Sequence, residues 1–83
     1  MIKIVYFSRL REQLGIDQEQ LEIPASGYKV ADLQNLLIER NAACQKAFSN
    51  HALLVAVNHQ MADVNTLIKP GDEVGIFPPV TGG

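Results

Sequence analysis

Apolar positions along the chain change their spacing several times, and each change marks an element. Met1-Ile2-Lys3-Ile4-Val5-Tyr6-Phe7 is rich in β-branched and aromatic residues and alternates as a strand does. Ile2, Ile4 and Tyr6 fall on one face, and Lys3, Val5 and Phe7 on the other. The lysine marks the second face as the wetter one, which makes Phe7 a candidate exposed aromatic. Ser8 is placed to cap a short helix through Leu14, and Gly15 stands where a C′ glycine ends one. From Glu19 to Ile23 the alternation of Leu21 and Ile23 with Gln20 and Glu22 predicts a half-buried strand, stopped by Pro24. Beyond the loop at Ala25-Ser26-Gly27, Val30, Leu33, Leu36, Leu37 and Arg40 follow helical spacing. The main amphipathic helix is therefore expected over about Lys29 to Arg40. No good capping residue adjoins Val30, although Asp32 places an acid in the first turn, where the helix dipole favours it. Ala42 to Phe48 either continues this helix or forms a second short one.

Leu53 to Val57 is apolar on both faces, as in a strand covered on both sides or lying inside an interface. Asn58-His59-Gln60 suits a tight turn, and Gln60-Met61-Ala62 a brief returning strand. Lys69-Pro70-Gly71-Asp72 carries proline and glycine at the central positions of a type II turn. The last strand, Glu73 to Phe77, sets Val74 and Ile76 against Glu73, Gly75 and Phe77. Five strands around one dominant helix, with the two terminal strands sharing a sheet, predict an α+β ubiquitin-like roll, the β-grasp. Residues 1–77 form this domain, and 78–83 an extended tail.

Composition narrows the function classes. The 83 residues are enough for one core and no second. Seven basic against nine acidic side chains give a net charge of −2, so no basic field for nucleic acid is present. The longest apolar run, Ala52 to Val57, is far short of the ~20 residues of a membrane span. Met1 to Phe7 is too short for a signal peptide, and Arg9 and Arg11 follow it rather than a cleavage site. The expected location is the cytoplasm. A single cysteine, Cys44, leaves no internal disulfide framework or cysteine-built zinc site. No basic or histidine neighbour in sequence lowers its pKa, so it is not assigned as a persulfide acceptor. His51 and His59 lack carboxylate or cysteine spacing for a metal, and Asp72 and Glu73 read as solvated charges beside a turn. The glycines at 71, 75, 82 and 83 have no helix or lysine after them, so the chain holds no phosphate loop. No metal or bound cofactor is expected.

The end of the chain, Pro78-Pro79-Val80-Thr81-Gly82-Gly83, carries the chemistry. Two prolines lack amide donors, so the last strand stops there and the backbone leaves stiff and extended. Six residues reach about 20 Å beyond the sheet. Gly82 and Gly83 have no side chains to keep the terminus out of a narrow channel. A carboxylate is a poor electrophile until it is adenylated; the acyl-AMP then accepts a sulfur or amine nucleophile. For such chemistry the chain itself needs to supply only reach, access and recognition.

The sequence resembles the small, sulfur-carrying subunit of molybdopterin synthase over essentially its whole length. The likeness rests on Met1 to Phe7, Arg11-Glu12-Gln13-Leu14-Gly15, Leu53-Leu54-Val55-Ala56-Val57-Asn58 and Gly71-Asp72-Glu73-Val74. Most specific is Phe77-Pro78-Pro79-Val80-Thr81-Gly82-Gly83. This resemblance implies that an E1-like enzyme adenylates Gly83 with ATP and magnesium, which belong to that partner, and that a sulfur donor system converts it to a thiocarboxylate. It implies that Pro78, Pro79, Val80, Thr81 and Gly82 carry Gly83 into the large synthase subunit, where sulfur passes to cyclic pyranopterin monophosphate. The resemblance further implies that two such transfers build the dithiolene, in a heterotetramer. The chain would be a subunit, not an enzyme alone. Phe7, Met61 and Phe77 match the family's apolar partner surface, and alternation independently puts Phe7 and Phe77 off the core. The alternative is a ubiquitin-like modifier that forms isopeptide bonds, or a sulfur carrier for thiazole synthesis or tRNA thiolation.

Overall fold

The structure, a computed structural model, describes residues 1–40, 42, 44, 45 and 54–77. Its elements run β1 (Ile2–Tyr6), α1 (Ser8–Leu14), β2 (Gln18–Leu21), α2 (Val30–Arg40), β3 (Leu54–Val57), β4 (Gln60–Ala62) and β5 (Glu73–Phe77). The strands form one sheet in the order β2-β1-β5-β3-β4. Its central pair, β1 and β5, is parallel, and the other three pairings are antiparallel. The terminal strands share the sheet, as the sequence predicts.

One face of this sheet is the core side. Ile2, Ile4 and Tyr6 of β1, Val55 and Val57 of β3, and Val74 and Ile76 of β5 are buried there, with Val30, Leu33 and Leu37 of α2 packed in the same cluster. Burying each such aliphatic side chain contributes about 1.5–3 kcal/mol. Leu10 of α1, Cys44 and Ile68 complete the lining.

Several boundaries differ from the expected ones, each for a local reason. In α1 the N-cap position falls on Phe7, with φ −118° and ψ 156°, so Ser8 is the first helical residue rather than the cap. Gly15 ends that helix as expected, in the left-handed region at φ 76°, with its amide donated to the Arg11 carbonyl at 3.0 Å. Strand β2 spans Gln18–Leu21, not Glu19 to Ile23, because pairing stops where Leu21 faces Ile2, near the start of β1. Leu53 lies outside the described residues, as does most of 42–48, although Ala42, Cys44 and Gln45 have helical backbone.

The start of α2 shows what its weak sequence signal had left open. The Asp32 carboxylate accepts the Lys29 amide at 2.9 Å, one half of a capping box. The amides of Val30 and Ala31 are donated to the carbonyls of Thr66 and Val64, each at 3.0 Å. Donors that a helix start leaves unpaired are thus satisfied by a loop more than thirty residues away in sequence. Both tight turns match their sequences. Asn58 and His59 have φ of 51° and 69°, the paired positive values of a type I′ hairpin. Gly71 has φ 94°, and the Asp72 amide reaches the Lys69 carbonyl at 3.0 Å.

Asp72 is not merely solvated. Its carboxylate accepts the Lys69 amide at 2.8 Å and the Asn58 side-chain amide at 2.9 Å, and Asn58 in turn accepts the Glu73 amide at 3.0 Å. The bond from the Lys69 amide, with that from Asn58 second, holds the Asp72 carboxyl below the usual aspartate range.

Candidate functional site: an apolar outer sheet face

The opposite sheet face is built by the residues that alternate with the core. Nearest the C-terminal end of β5, Phe7 follows β1 and lies beside Phe77, and Leu54 pairs with Phe77 from the other side. The next row reads Val5, Gly75, Ala56 and Met61 by direct register across four strands. One row further, Lys3 faces Glu73, and His59 Nε2 approaches the Glu73 carboxylate at 3.5 Å. The face is therefore apolar at the end where the chain leaves the sheet and charged at the other.

Phe7 is 44 % exposed and Met61 61 %, large values for side chains of this size, while Phe77 is half-buried. The two phenylalanine rings meet edge to face, with centroids 6.2 Å apart and an interplanar angle of 85°. That geometry is worth about 0.5–1.5 kcal/mol beyond area burial. Exposed apolar surface of this kind makes the face a candidate interaction site. Of the three surface residues expected from the sequence, Phe7 and Phe77 are in contact. Met61 lies on the same face, on edge strand β4, with β3 between it and the phenylalanines. Val5, Leu54, Ala56 and Gly75 also belong to the face. Alternation had already put Val5 and Gly75 on this side. Leu54 and Ala56 were hidden because Leu54-Val55-Ala56-Val57 is apolar throughout, and become readable once a neighbouring strand fixes which side is core.

The remaining site residues, Pro78, Pro79, Val80, Thr81, Gly82 and Gly83, lie outside the described residues, as does His51. Among the described residues, no group of three metal-ligating side chains comes together. A small cavity of about 80 Å³ opens behind the sheet, between Tyr6, Glu19, Leu37, Arg40 and Cys44. Pockets for drug-sized ligands start at about 300 Å³, so it does not accept a pterin or a nucleotide. Its polar groups are engaged with one another. The Tyr6 hydroxyl donates to Glu19 Oε2 at 2.6 Å, and Arg40 Nη2 to Glu19 Oε1 at 3.0 Å. Burial, and then the Glu19 carboxylate, push the Tyr6 hydroxyl far above its ordinary pKa. Burial likewise pushes the Cys44 thiol up, again with Glu19 contributing, which disfavours the reactive thiolate. No helix among the described residues is long and apolar enough to cross a membrane.

A mixed sheet of this order on one main helix defines a ubiquitin-like β-grasp protein, here with an apolar outer face beside the C-terminal exit. The chain belongs to the ThiS family, whose family model matches residues 4–83. It is 35 % identical to the molybdopterin synthase sulfur carrier subunit of Escherichia coli and 33 % identical to that of Haemophilus influenzae, in both cases over 100 % of each chain. The solution structure of the small archaeal modifier protein 1 (SAMP1) from Methanosarcina acetivorans superimposes with a TM-score of 0.76. It is 28 % identical, over 99 % of this chain and 95 % of that one.

Proposed function

We propose that the chain is the sulfur carrier subunit of a molybdopterin synthase, working in the cytoplasm. Residues 1–77 act as the docking domain and residues 78–83 as the arm that carries the sulfur. The observation that carries this reading is the junction of the two. Phe77 ends the last strand within the apolar outer face, and Pro78-Pro79-Val80-Thr81-Gly82-Gly83 continues directly from it. A partner that covers this face therefore stands where the arm begins. Full-length matching to sulfur carrier subunits supports the same assignment.

In this reading an E1-like enzyme docks on the face and joins the Gly83 carboxylate to AMP, with pyrophosphate leaving from ATP. Sulfide delivered by a donor system then attacks the acyl carbon, and AMP departs, leaving a thiocarboxylate. The large synthase subunit takes the same face, and the arm delivers its sulfur to cyclic pyranopterin monophosphate. On this reading the nucleotide and the pterin are held by the partners, and the chain supplies the docking face and the arm.

The test is the mass of the C-terminal peptide after incubation with an E1-like partner, ATP, magnesium and a sulfur source. Replacement of one oxygen by sulfur, dependent on Gly83, is the expected result; an unchanged peptide overturns the reading. Likeness to SAMP1 favours one second reading, a protein modifier. It shares the activation step but ends in an isopeptide bond, so ladders of conjugates in cells would select it.

A further inference from the structure

Gly75 is the one position on the outer face whose residue type its own strand does not explain. It sits in the middle of β5, between Val5 and Ala56 in register, and it is not among the glycines with positive φ. Strand backbone at that position accepts any residue, and glycine inside a strand weakens it. A side chain there would meet something else. An ideal Cβ on Gly75 would lie 3.1 Å from Cε2 and 3.9 Å from Cδ2 of Phe7. The Phe7 ring thus leans inward from its place after β1 and occupies the space that the missing side chain leaves. In that position it meets Phe77 edge-on.

The geometry points to Gly75 as the positioning residue of the docking face: its empty Cβ site seats the Phe7 ring in one orientation, and partners read that orientation. The inference rests on the docking reading above. A half-exposed aromatic on an open face otherwise samples several rotamers, each of which must be frozen out when a partner covers it. Seating Phe7 between the Gly75 backbone and Phe77 removes that freedom in advance. It also keeps the centre of the face low, so a partner's side chains can reach Ala56 and Met61 beyond it.

Three variants and their combination test this. Gly75→Val places a branched side chain where the ring lies. It should lower the affinity for the large synthase subunit by about tenfold or more, the loss expected of a hot-spot aromatic. Its thermal midpoint should stay equal or rise, because valine favours strands. Gly75→Ala, whose methyl asks the ring to move by only a few tenths of an ångström, should lose about threefold or less. Phe7→Ala should weaken binding, and adding Gly75→Val to it should cost nothing more, since no ring remains to displace. In the free carrier, the Gly75 α protons should show nuclear Overhauser contacts to the Phe7 ring and ring-current shielding that Phe7→Ala abolishes. Wild-type binding retained by Gly75→Val, or a full further loss in the Phe7→Ala background, overturns the inference and leaves the docking reading standing. Absence of the ring contacts in the free carrier overturns it without reference to any partner. A wild-type chain that binds no large subunit overturns the docking reading, and this inference with it.

Discussion

At the scale of single residues, burial separates side chains that hold the fold from those that face outward. Phe77 stands between these groups, half-buried, with its ring against Phe7 and its backbone paired to Leu54. Phe77→Ala should therefore cost less stability than the roughly 3–5 kcal/mol of a fully buried phenylalanine. It should weaken binding to the large subunit by more than about 1–2 kcal/mol. Denaturant unfolding and calorimetric titration on the same sample separate the two effects; a variant that unfolds while its folded fraction binds normally would make Phe77 a core residue. Asp72 is a different case, a charge whose value is structural. Its folded pKa lies below the unfolded value of about 3.9, so its stabilisation is present above that pH and is lost as pH falls through the folded pKa. Asp72→Ala should lower stability at pH 7 by about 0.5–1.5 kcal/mol, the net worth of ordinary hydrogen bonds. The gap to wild type should close below about pH 4. A pH-independent gap would mean that the substitution acts through turn geometry instead.

At the scale of elements, strands and turns were legible from short-range pattern, and the ties between distant elements were not. Alternation in Met1 to Phe7 and in Glu73 to Phe77 already separates core from outer face. Asn58-His59 and Pro70-Gly71 announce their turns because the required φ values favour those residue types. The cap of α2 was hidden because two of its acceptors are the carbonyls of Val64 and Thr66, and backbone groups leave no trace in residue identity. Gly75 was hidden for a related reason: a glycine kept for a neighbour's ring looks like any other glycine. The link from α2 to the sheet was equally invisible. Glu19 joins Tyr6 and Arg40 across separations of 13 and 21 residues, where no local pattern pairs a carboxylate with a tyrosine. Its removal should be measurable. Tyr6→Phe deletes the donor to Glu19 and should cost about 1–2 kcal/mol, less than the upper range for charge-assisted bonds because Glu19 retains Arg40 and some water. The alkaline limb carries a second signature. The Tyr6 pKa is raised in the folded state, so its contribution is complete below the unfolded value near 10 and is lost as pH rises above it. Wild type should therefore lose stability above about pH 10 more steeply than Tyr6→Phe. Parallel alkaline limbs would show that the Tyr6 proton is not held by the fold.

For the whole molecule, the proposed function divides recognition and chemistry between two parts of one chain. On that proposal the apolar outer face recognises partners, and the arm from Pro78 to Gly83 brings the reactive carbonyl to them. Each part should then fail separately. Deleting Gly83 shortens the reach by about 3.3–3.6 Å, which near-attack geometry does not tolerate. The truncated chain should dock on the large subunit with unchanged affinity, because Phe7, Met61 and Phe77 remain, yet form no thiocarboxylate and convert no pterin. Gly82→Ala keeps the terminus in register and adds one methyl to a segment that must enter a channel, so it should slow transfer while leaving fold and docking intact. Replacing Pro78 and Pro79 by glycine keeps the length but loosens the arm, so more conformational freedom is lost on insertion. Turnover at sub-saturating carrier should fall, with the thermal midpoint of the domain unchanged. Phe77→Ala should show the reverse profile, weakened docking with near-normal turnover once the carrier saturates its partner. Measuring thiocarboxylate formation, pterin conversion and large-subunit binding separately for all four variants places each on one side of the division. If the truncated carrier still converts the pterin, the sulfur does not travel on the Gly83 carboxyl and the proposed function is wrong. If truncation instead abolishes docking, the arm is part of the recognition surface, and the apolar face alone does not account for the affinity.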